Sequence, residues 1–120
     1  MAANPYPLLT SPLVIGKVAL RNRMVFTGHN SKLQEGDGLI GERYIAYQVR
    51  RARGGAGLQV LCGATVNDMS LTSQDQLRLS DDAAIPGIQR MVRAVSDAGG
   101  IIFAQLLHPG REIYETADGT

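Results

Sequence analysis

The chain has 120 residues, of which 44% are hydrophobic and 19% are charged, and its formal net charge is +1. This composition is typical of one small soluble globular domain and excludes a disordered chain, while the nearly neutral charge argues against binding to nucleic acid or to a membrane. The single cysteine, Cys62, excludes an internal disulfide and a Cys-x-x-Cys metal site, so we expect a reducing, cytoplasmic location.

The N-terminal segment 1–12 contains three of the five prolines and predicts an extended lead-in. It lacks the basic region and apolar core of a signal peptide, and no apolar run in the chain approaches a membrane-spanning length. Residues 13–20 then predict two short strands joined by a tight turn at Gly16-Lys17. We expect this hairpin to cover one end of a larger sheet or barrel.

Short apolar runs alternate with helical patterns along the rest of the chain. The predicted strands are 24–27, 58–62 and a third that begins near residue 101, and the predicted helices are 41–54 and about 82–98. This alternation predicts an α/β fold built from βαβ units around a parallel sheet. Right-handed crossovers would place the carboxyl ends of all three strands at the same edge of that sheet.

Turn and loop residues separate these strands and helices. Gly54-Gly55 ends the first predicted helix, and Pro86 lies in the first turn of the second, where its missing N–H costs no hydrogen bond. The segments 66–80 and 109–120 show no periodicity, so we expect loops there.

The segments that follow the three strands contain residues with small side chains or with hydrogen-bonding groups. They are residues 28–31, 63–65 and 105–111. Gln105 is a single polar side chain near the end of an apolar run, and its amide can donate and accept hydrogen bonds at once. Because ligands of parallel α/β folds bind at this edge, we expect Gln105 to bind a planar ring that carries donors and acceptors. The alternative is an amide that hydrogen-bonds only to neighbouring loop backbone.

Other reactive side chains allow two interpretations each. His29 is a ligand, a proton donor or a stacking group near a cofactor, or else a loop histidine bound to backbone. His108 precedes Pro-Gly, which favours a role in a turn. Arg111 either holds an anion or is solvated, and Cys62 is either reactive or a small buried hydrophobic residue.

Two motifs do not support the sites that they first suggest. The glycine-rich segment 53–57 follows a helix and precedes a strand, whereas a dinucleotide-binding loop follows a strand and precedes a helix. We interpret its glycines as a helix stop and a tight turn. Asp81-Asp82 stands at a helix start, where capping explains it better than a metal site does.

The chain resembles the N-terminal part of the Old Yellow Enzyme family, the NADH:flavin oxidoreductases, from about Leu8 to Arg111. The motifs that carry the resemblance are Ser11-Pro-Leu-Val-Ile-Gly16, Leu20-Arg-Asn-Arg23, Arg51-Ala-Arg-Gly-Gly-Ala-Gly57, Asp97-Ala-Gly-Gly100 and Gln105-Leu-Leu-His-Pro-Gly-Arg111. Thr27-Gly-His-Asn30 looks closer to the branch with trimethylamine dehydrogenase, dienoyl-CoA reductase and amine N-demethylases. The classical ene-reductases have Ala-Pro-Met-Thr there.

The resemblance implies FMN, bound at the carboxyl-end face of a TIM barrel. The residues that would contact the flavin are Thr27, Gly28, His29, Asn30, Gly63, Ala64 and Gln105. Asn30 would tune the flavin potential, Gly63 and Ala64 would pass under the ring, and Gln105 would hydrogen-bond its pyrimidine edge. No catalytic or metal-binding residue is expected in this segment.

A TIM barrel takes about 250 residues, whereas this chain has about three βα units and a capping hairpin. The resemblance therefore implies that residues 1–120 are an N-terminal fragment of an FMN-binding barrel domain, without a second domain. Phosphate loops, substrate-binding residues and any 4Fe-4S cluster or FAD/ADP site would follow later in the chain. We expect the isolated chain to be inactive, and to cover its sheet edges by forming a homo-oligomer or by exchanging strands.

The resulting hypothesis is an FMN-dependent oxidoreductase that transfers hydride between FMN and NAD(P)H or a small amine or enone substrate. The alternative is a non-catalytic α/β module that self-associates or assembles with a partner chain. A different phosphate-binding barrel is a third interpretation, which Gln105 and the strand-end motifs disfavour.

Overall fold

The computed structural model describes residues 4–68 and 76–112. A hairpin precedes the main sheet, as predicted, and consists of β1 (Leu13–Ile15) and β2 (Val18–Leu20) in antiparallel pairing. Gly16 adopts a φ of 57°, which permits the tight turn between them.

A parallel sheet forms the centre of the fold. In the described part of the chain it contains β3 (Val25–Phe26), β4 (Leu58–Thr65), β5 (Leu77–Arg78) and β6 (Ile101–Leu107). β6 pairs along the whole of β4, with a register shift between Val60 and Gly63. β6 occupies one edge of β4, so the short strands β3 and β5 share the other edge. β3 pairs with the start of β4, and β5 pairs with the end of β4.

Two amphipathic helices cover the sheet. They are α1 (Glu42–Arg53) and α2 (Ile85–Asp97), the second preceded by a short 3-10 helix, Asp82–Ala84. Their buried residues pack with β4 into one hydrophobic core, whose fully buried side chains include Tyr44 of α1 and Met91 and Val95 of α2. Both predicted helices are therefore confirmed, although the first turn of the second is 3-10.

Three sequence-based boundaries need correction. The second strand does not end at Cys62 but continues to Thr65, because β5 and β6 both pair with its last residues. The first strand is shorter than predicted, and the predicted loop 66–80 contains β5. Its residues 69–75 lie outside the described residues, as do 113–120 of the predicted C-terminal loop.

The Arg-Asn segment after β2 holds the turn between α1 and β4. Arg21 donates hydrogen bonds to the carbonyl oxygens of Ala52 and Ala56, the latter at 3.0 Å. Asn22 Nδ2 donates to the Gly55 carbonyl oxygen at 2.8 Å, and a β-carbon on Gly57 would collide with Asn22. These contacts confirm that the glycines of segment 53–57 serve a tight helix-to-strand turn.

No helix in the described ranges is both long enough and apolar enough to cross a bilayer.

Candidate functional site

Gly28, which follows β3, lies against the middle of β4 and against Gln105 near the end of β6. A β-carbon built on Gly28 would lie 2.6 Å from Gln105 Oε1 and 2.9 Å from the carbonyl oxygen of Leu61. Real β-carbons do not approach other atoms so closely, so the observed arrangement requires a residue without a side chain at position 28. Gly28 and Gln105 therefore meet as predicted, and Gly63 pairs with Gln105, but Gly28 contacts β4 at Leu61 and Cys62 rather than at residues 63–65.

The Gln105 amide is exposed at this junction. Within residues 4–68 and 76–112 its side chain makes no hydrogen bond, so the alternative of an amide bound to loop backbone is not observed. Gln105 pairs in register with Gly63 of β4. The amide donor and acceptor are therefore both available to a ligand.

Gly63 and Ala64 lie inside β4 rather than after it. A β-carbon on Gly63 would be 3.2 Å from Leu107 Cδ2, so this part of β4 lies close to the end of β6. Ala64 is fully buried in the core. Only its backbone remains to contribute to a surface at the strand ends.

The loop after β3 presents the remaining predicted ligand residues. Thr27, His29 and Asn30 are exposed. Asn30 Oδ1 accepts a hydrogen bond from the Lys32 N–H at 3.1 Å, and Lys32 has a φ of 54°. The Asn30 oxygen thus closes a local turn, whereas its NH2 group makes no hydrogen bond within the described ranges.

His29 is held by α1 and not by loop backbone. The Tyr47 hydroxyl lies 3.0 Å from His29 Nδ1, and the two ring centroids are 5.9 Å apart. The Arg51 guanidinium carbon lies 3.2 Å from the Tyr47 ring centroid, and the Phe26 ring meets both His29 and Tyr47 at 6.1 Å. Sequence reasoning missed Tyr47 and Arg51 as neighbours of the site, although their spacing of four residues places them on one face of α1.

His108 and Asp81 have structural roles. His108 Nδ1 accepts a hydrogen bond from the Gly110 N–H at 3.1 Å, which confirms its predicted turn role. Asp81 caps the helix start by accepting from the Ala83 N–H at 2.7 Å. Arg111 is exposed. Across the described ranges, no cluster of three or more His, Cys, Asp or Glu residues could hold a metal ion.

Cys62 is a buried core residue, in agreement with the unreactive interpretation. Its sulfur accepts a hydrogen bond from the Tyr44 hydroxyl at 3.2 Å. Burial raises the pKa of the Cys62 thiol, and the Tyr44 hydrogen bond offsets part of that rise. Burial also raises the Tyr44 pKa, so both groups stay protonated at neutral pH.

A charged contact fixes the chain beyond the end of β4. Arg78 of β5 lies 2.6 Å from an Asp68 carboxylate oxygen, which also accepts a hydrogen bond from Ser80. The Ser80 hydrogen bond, followed by that from Arg78, lowers the pKa of Asp68. The contact ties the start of the 66–80 segment to its end.

Comparison with known proteins gives a consistent result. Residues 8–119 match the family described as the NADH:flavin oxidoreductase / NADH oxidase family. The chain is 38% identical over 108 residues to an NADH oxidase of Thermoanaerobacter brockii, and 34% identical over 110 residues to an N,N-dimethylglycine/sarcosine dehydrogenase of Chromohalobacter salexigens. These matches cover 89% and 88% of this chain, but only 17% and 16% of the two relatives.

A solved structure agrees with this result. The chain superposes on an Old Yellow Enzyme homologue from Zymomonas mobilis with a TM-score of 0.76 and 28% identity, covering 88% of this chain and 29% of that one. The predicted fold class, an α/β portion of a TIM barrel, is confirmed. The chain spans about a sixth of the two relatives and under a third of this structure.

Proposed function

The chain belongs to the NADH:flavin oxidoreductase / NADH oxidase family, and from that premise we propose that it supplies one face of the flavin site of an FMN-dependent oxidoreductase. We call this face the flavin floor and define it as Thr27, Gly28, His29, Asn30, Gly63, Ala64 and Gln105. In the whole enzyme, hydride passes between FMN and NAD(P)H or a small amine or enone substrate. Residues 1–120 are then the N-terminal part of an FMN-binding barrel domain.

The observation that carries the proposal is the close approach of Gly28 and Gln105. Gly28 has no side chain, and Gln105 Oε1 and the Leu61 carbonyl oxygen fill the space that one would need, so the backbone after β3 lies directly against an exposed amide that makes no hydrogen bond within the described residues. Gln105 offers a donor and an acceptor, which match the alternating acceptors and N–H group at the pyrimidine edge of a flavin. The residues present therefore fit this cofactor.

Each part of the flavin floor has its own task. FMN supplies the hydride chemistry when it is bound, and the chain binds and orients its ring. Gln105 hydrogen-bonds the pyrimidine edge, and the backbone at Gly63 and Ala64 lies under the ring. Asn30 contributes its NH2 group, which makes no hydrogen bond within the described residues, and tunes the potential. His29 lies in the loop after β3.

Regions present in the longer relatives complete the enzyme in this proposal. They would supply the phosphate loops and the substrate-binding residues, together with any 4Fe-4S cluster and FAD/ADP site. The isolated chain then has no activity of its own, and the whole protein is cytoplasmic.

A self-associating module is the second candidate, and one observation favours it. Leu106 of β6 is 66% exposed and borders an open cleft of about 410 Å³ that Ile85 and Ile88 also line. In the described ranges β6 pairs on one edge only. A homo-oligomer or strand-exchanged dimer would bury this surface. Sedimentation equilibrium that finds only monomer would rule out the self-associating module.

Titration of the purified chain with two flavins tests the main proposal. Lumiflavin has the ring without the ribityl phosphate, so its binding reports on the flavin floor alone, whereas FMN also reports on any phosphate contact. We expect saturable changes in the absorption and fluorescence of both flavins. A response to FMN alone, or to neither flavin, would contradict the assignment of ring binding to this segment.

A further inference from the structure

Tyr47 and His29 form a hydrogen-bonded pair beside the flavin floor. The Tyr47 hydroxyl, from α1, lies 3.0 Å from His29 Nδ1 in the loop after β3. Among the described residues, neither side chain has another hydrogen-bond partner. The pair thus links the helix layer directly to the end of a strand.

Acid and base strengths determine the direction of this hydrogen bond. A phenol hydroxyl is a stronger acid than a neutral imidazole N–H, and an imidazole nitrogen is a stronger base than a phenol oxygen. The favoured arrangement therefore has the Tyr47 hydroxyl donating and His29 Nδ1 accepting. A neutral imidazole that accepts at Nδ1 carries its proton on Nε2.

Arg51 strengthens and orients the donor. Its guanidinium lies 3.2 Å from the Tyr47 ring centroid, and its Nη1 donates to the Tyr47 carbonyl oxygen at 3.0 Å. A cation over the ring withdraws electron density from the phenol, which makes the hydroxyl a better donor. Phe26 approaches both rings edge-on, with its ring centroid 6.1 Å from those of Tyr47 and His29, so contacts from two elements restrain the Tyr47 ring.

We propose that Tyr47, backed by Arg51, is a positioning residue that fixes His29 as the neutral Nε2–H tautomer. His29 then presents a single N–H donor at the end of β3, one residue after Gly28. The ligand class that such a donor serves is an atom with a lone pair, either a carbonyl oxygen or an anionic ring nitrogen. Only this last step rests on the proposed flavin function; the tautomer itself does not.

Long-range ¹H–¹⁵N correlation spectra of the ¹⁵N-labelled chain without flavin test the proposal. The chain has only two histidines, and His108 is an internal control because its Nδ1 accepts from Gly110 and not from a tyrosine. In the wild type, we expect His29 Nδ1 to show the shift of an unprotonated nitrogen and Nε2 that of a protonated one. In Tyr47→Phe, both His29 shifts should move toward the average of two tautomers while the His108 shifts stay constant.

Arg51→Met distinguishes an effect on the His29 tautomer from a general effect on folding, because it removes the guanidinium and keeps the Tyr47 hydroxyl. We expect a smaller movement of the His29 shifts in the same direction as in Tyr47→Phe, with backbone amide spectra that show both variants folded. A wild-type His29 protonated on Nδ1 would overturn the proposal. So would His29 shifts that are identical in the wild type and in Tyr47→Phe. Because no flavin is present, failure here would leave the flavin titration to decide the proposed function separately.

Discussion

The side-chain oxygen of Gln105 lies 2.6 Å from the place that a β-carbon on Gly28 would occupy. The two residues are 77 positions apart in the sequence. Gly28 follows β3, and Gln105 lies within β6, near its carboxyl end, in the same parallel sheet. Their approach places the backbone after β3 directly against an exposed amide. It is the geometric basis for assigning a flavin ring to this surface.

Replacing Gly28 with alanine should destabilise the chain and abolish flavin binding. Gln105 can rotate away from a new methyl group, but the Leu61 carbonyl oxygen, 2.9 Å from the methyl position, belongs to the backbone of β4. Overpacking of this kind costs about 1–3 kcal/mol in the free energy of unfolding. Urea denaturation measures the loss. Gly36→Ala is the matched control, since a β-carbon there meets no atom within 4 Å, and equal stabilities of the two variants would contradict the prediction.

Replacing Gln105 with methionine should weaken flavin binding without unfolding the chain. The Gln105 side chain is exposed and has no hydrogen bond in the described ranges, so the free energy of unfolding should change by less than about 0.5 kcal/mol. Loss of one or two hydrogen bonds to the ring should lower the affinity for lumiflavin about tenfold. Gln89→Met, on the exposed face of α2, should leave the affinity unchanged. Equal affinities of the Gln105 and Gln89 variants would remove Gln105 from the site.

Replacing Asn22 with alanine should destabilise the fold through the turn that it holds. Asn22 donates to the Gly55 carbonyl oxygen and accepts from the Met24 N–H at 3.1 Å. Loss of both hydrogen bonds in a buried position should cost about 2 kcal/mol. A urea midpoint for Asn22→Ala equal to that of the wild type would show that the turn forms without this residue.

The stability of the chain should decline in alkaline solution because of Tyr44 and Cys62. Their ordinary pKa values are 10.0 and 9.0, and both are raised in the folded chain, so the folded state holds these protons more tightly than the unfolded state does. The contribution is fully present below pH 9.0 and is lost as the pH rises beyond it. Urea denaturation between pH 7 and pH 10.5 should show the decline. The double variant Tyr44→Phe, Cys62→Ala should lose less stability over the same pH range. Equal losses of stability in the variant and the wild type would show that these two groups do not cause the decline.

The order of the elements could be predicted from local pattern, because the helices and long strands carry their own periodicity. Ile45, Val49 and Ala52 mark the core-facing stripe of α1, with Val49 partly buried, and the apolar run from Ile101 marks β6. β5 could not be predicted in this way. Its two residues are a strand only because they pair with the end of β4, and that pairing also extends β4 beyond Cys62.

The site could be predicted only in part for a related physical reason. Gln105 stands out as a polar residue in an apolar run, and Gly28 follows a short strand, so both were recognisable locally. The contact of Tyr47 with His29 depends on the rotation of α1 about its axis and on its distance from β3. Neither quantity is encoded in the spacing of residues along one helix.

Amide spectra of the ¹⁵N-labelled chain, recorded during addition of FMN, test the central claim most directly. We predict that the Gly28 N–H and the Gln105 side-chain NH2 shift together and saturably, with one dissociation constant, while the Gly16 N–H in the hairpin does not move. Shifts that spare Gly28 and Gln105, or that are confined to the hairpin, would contradict a flavin floor at the ends of β3, β4 and β6.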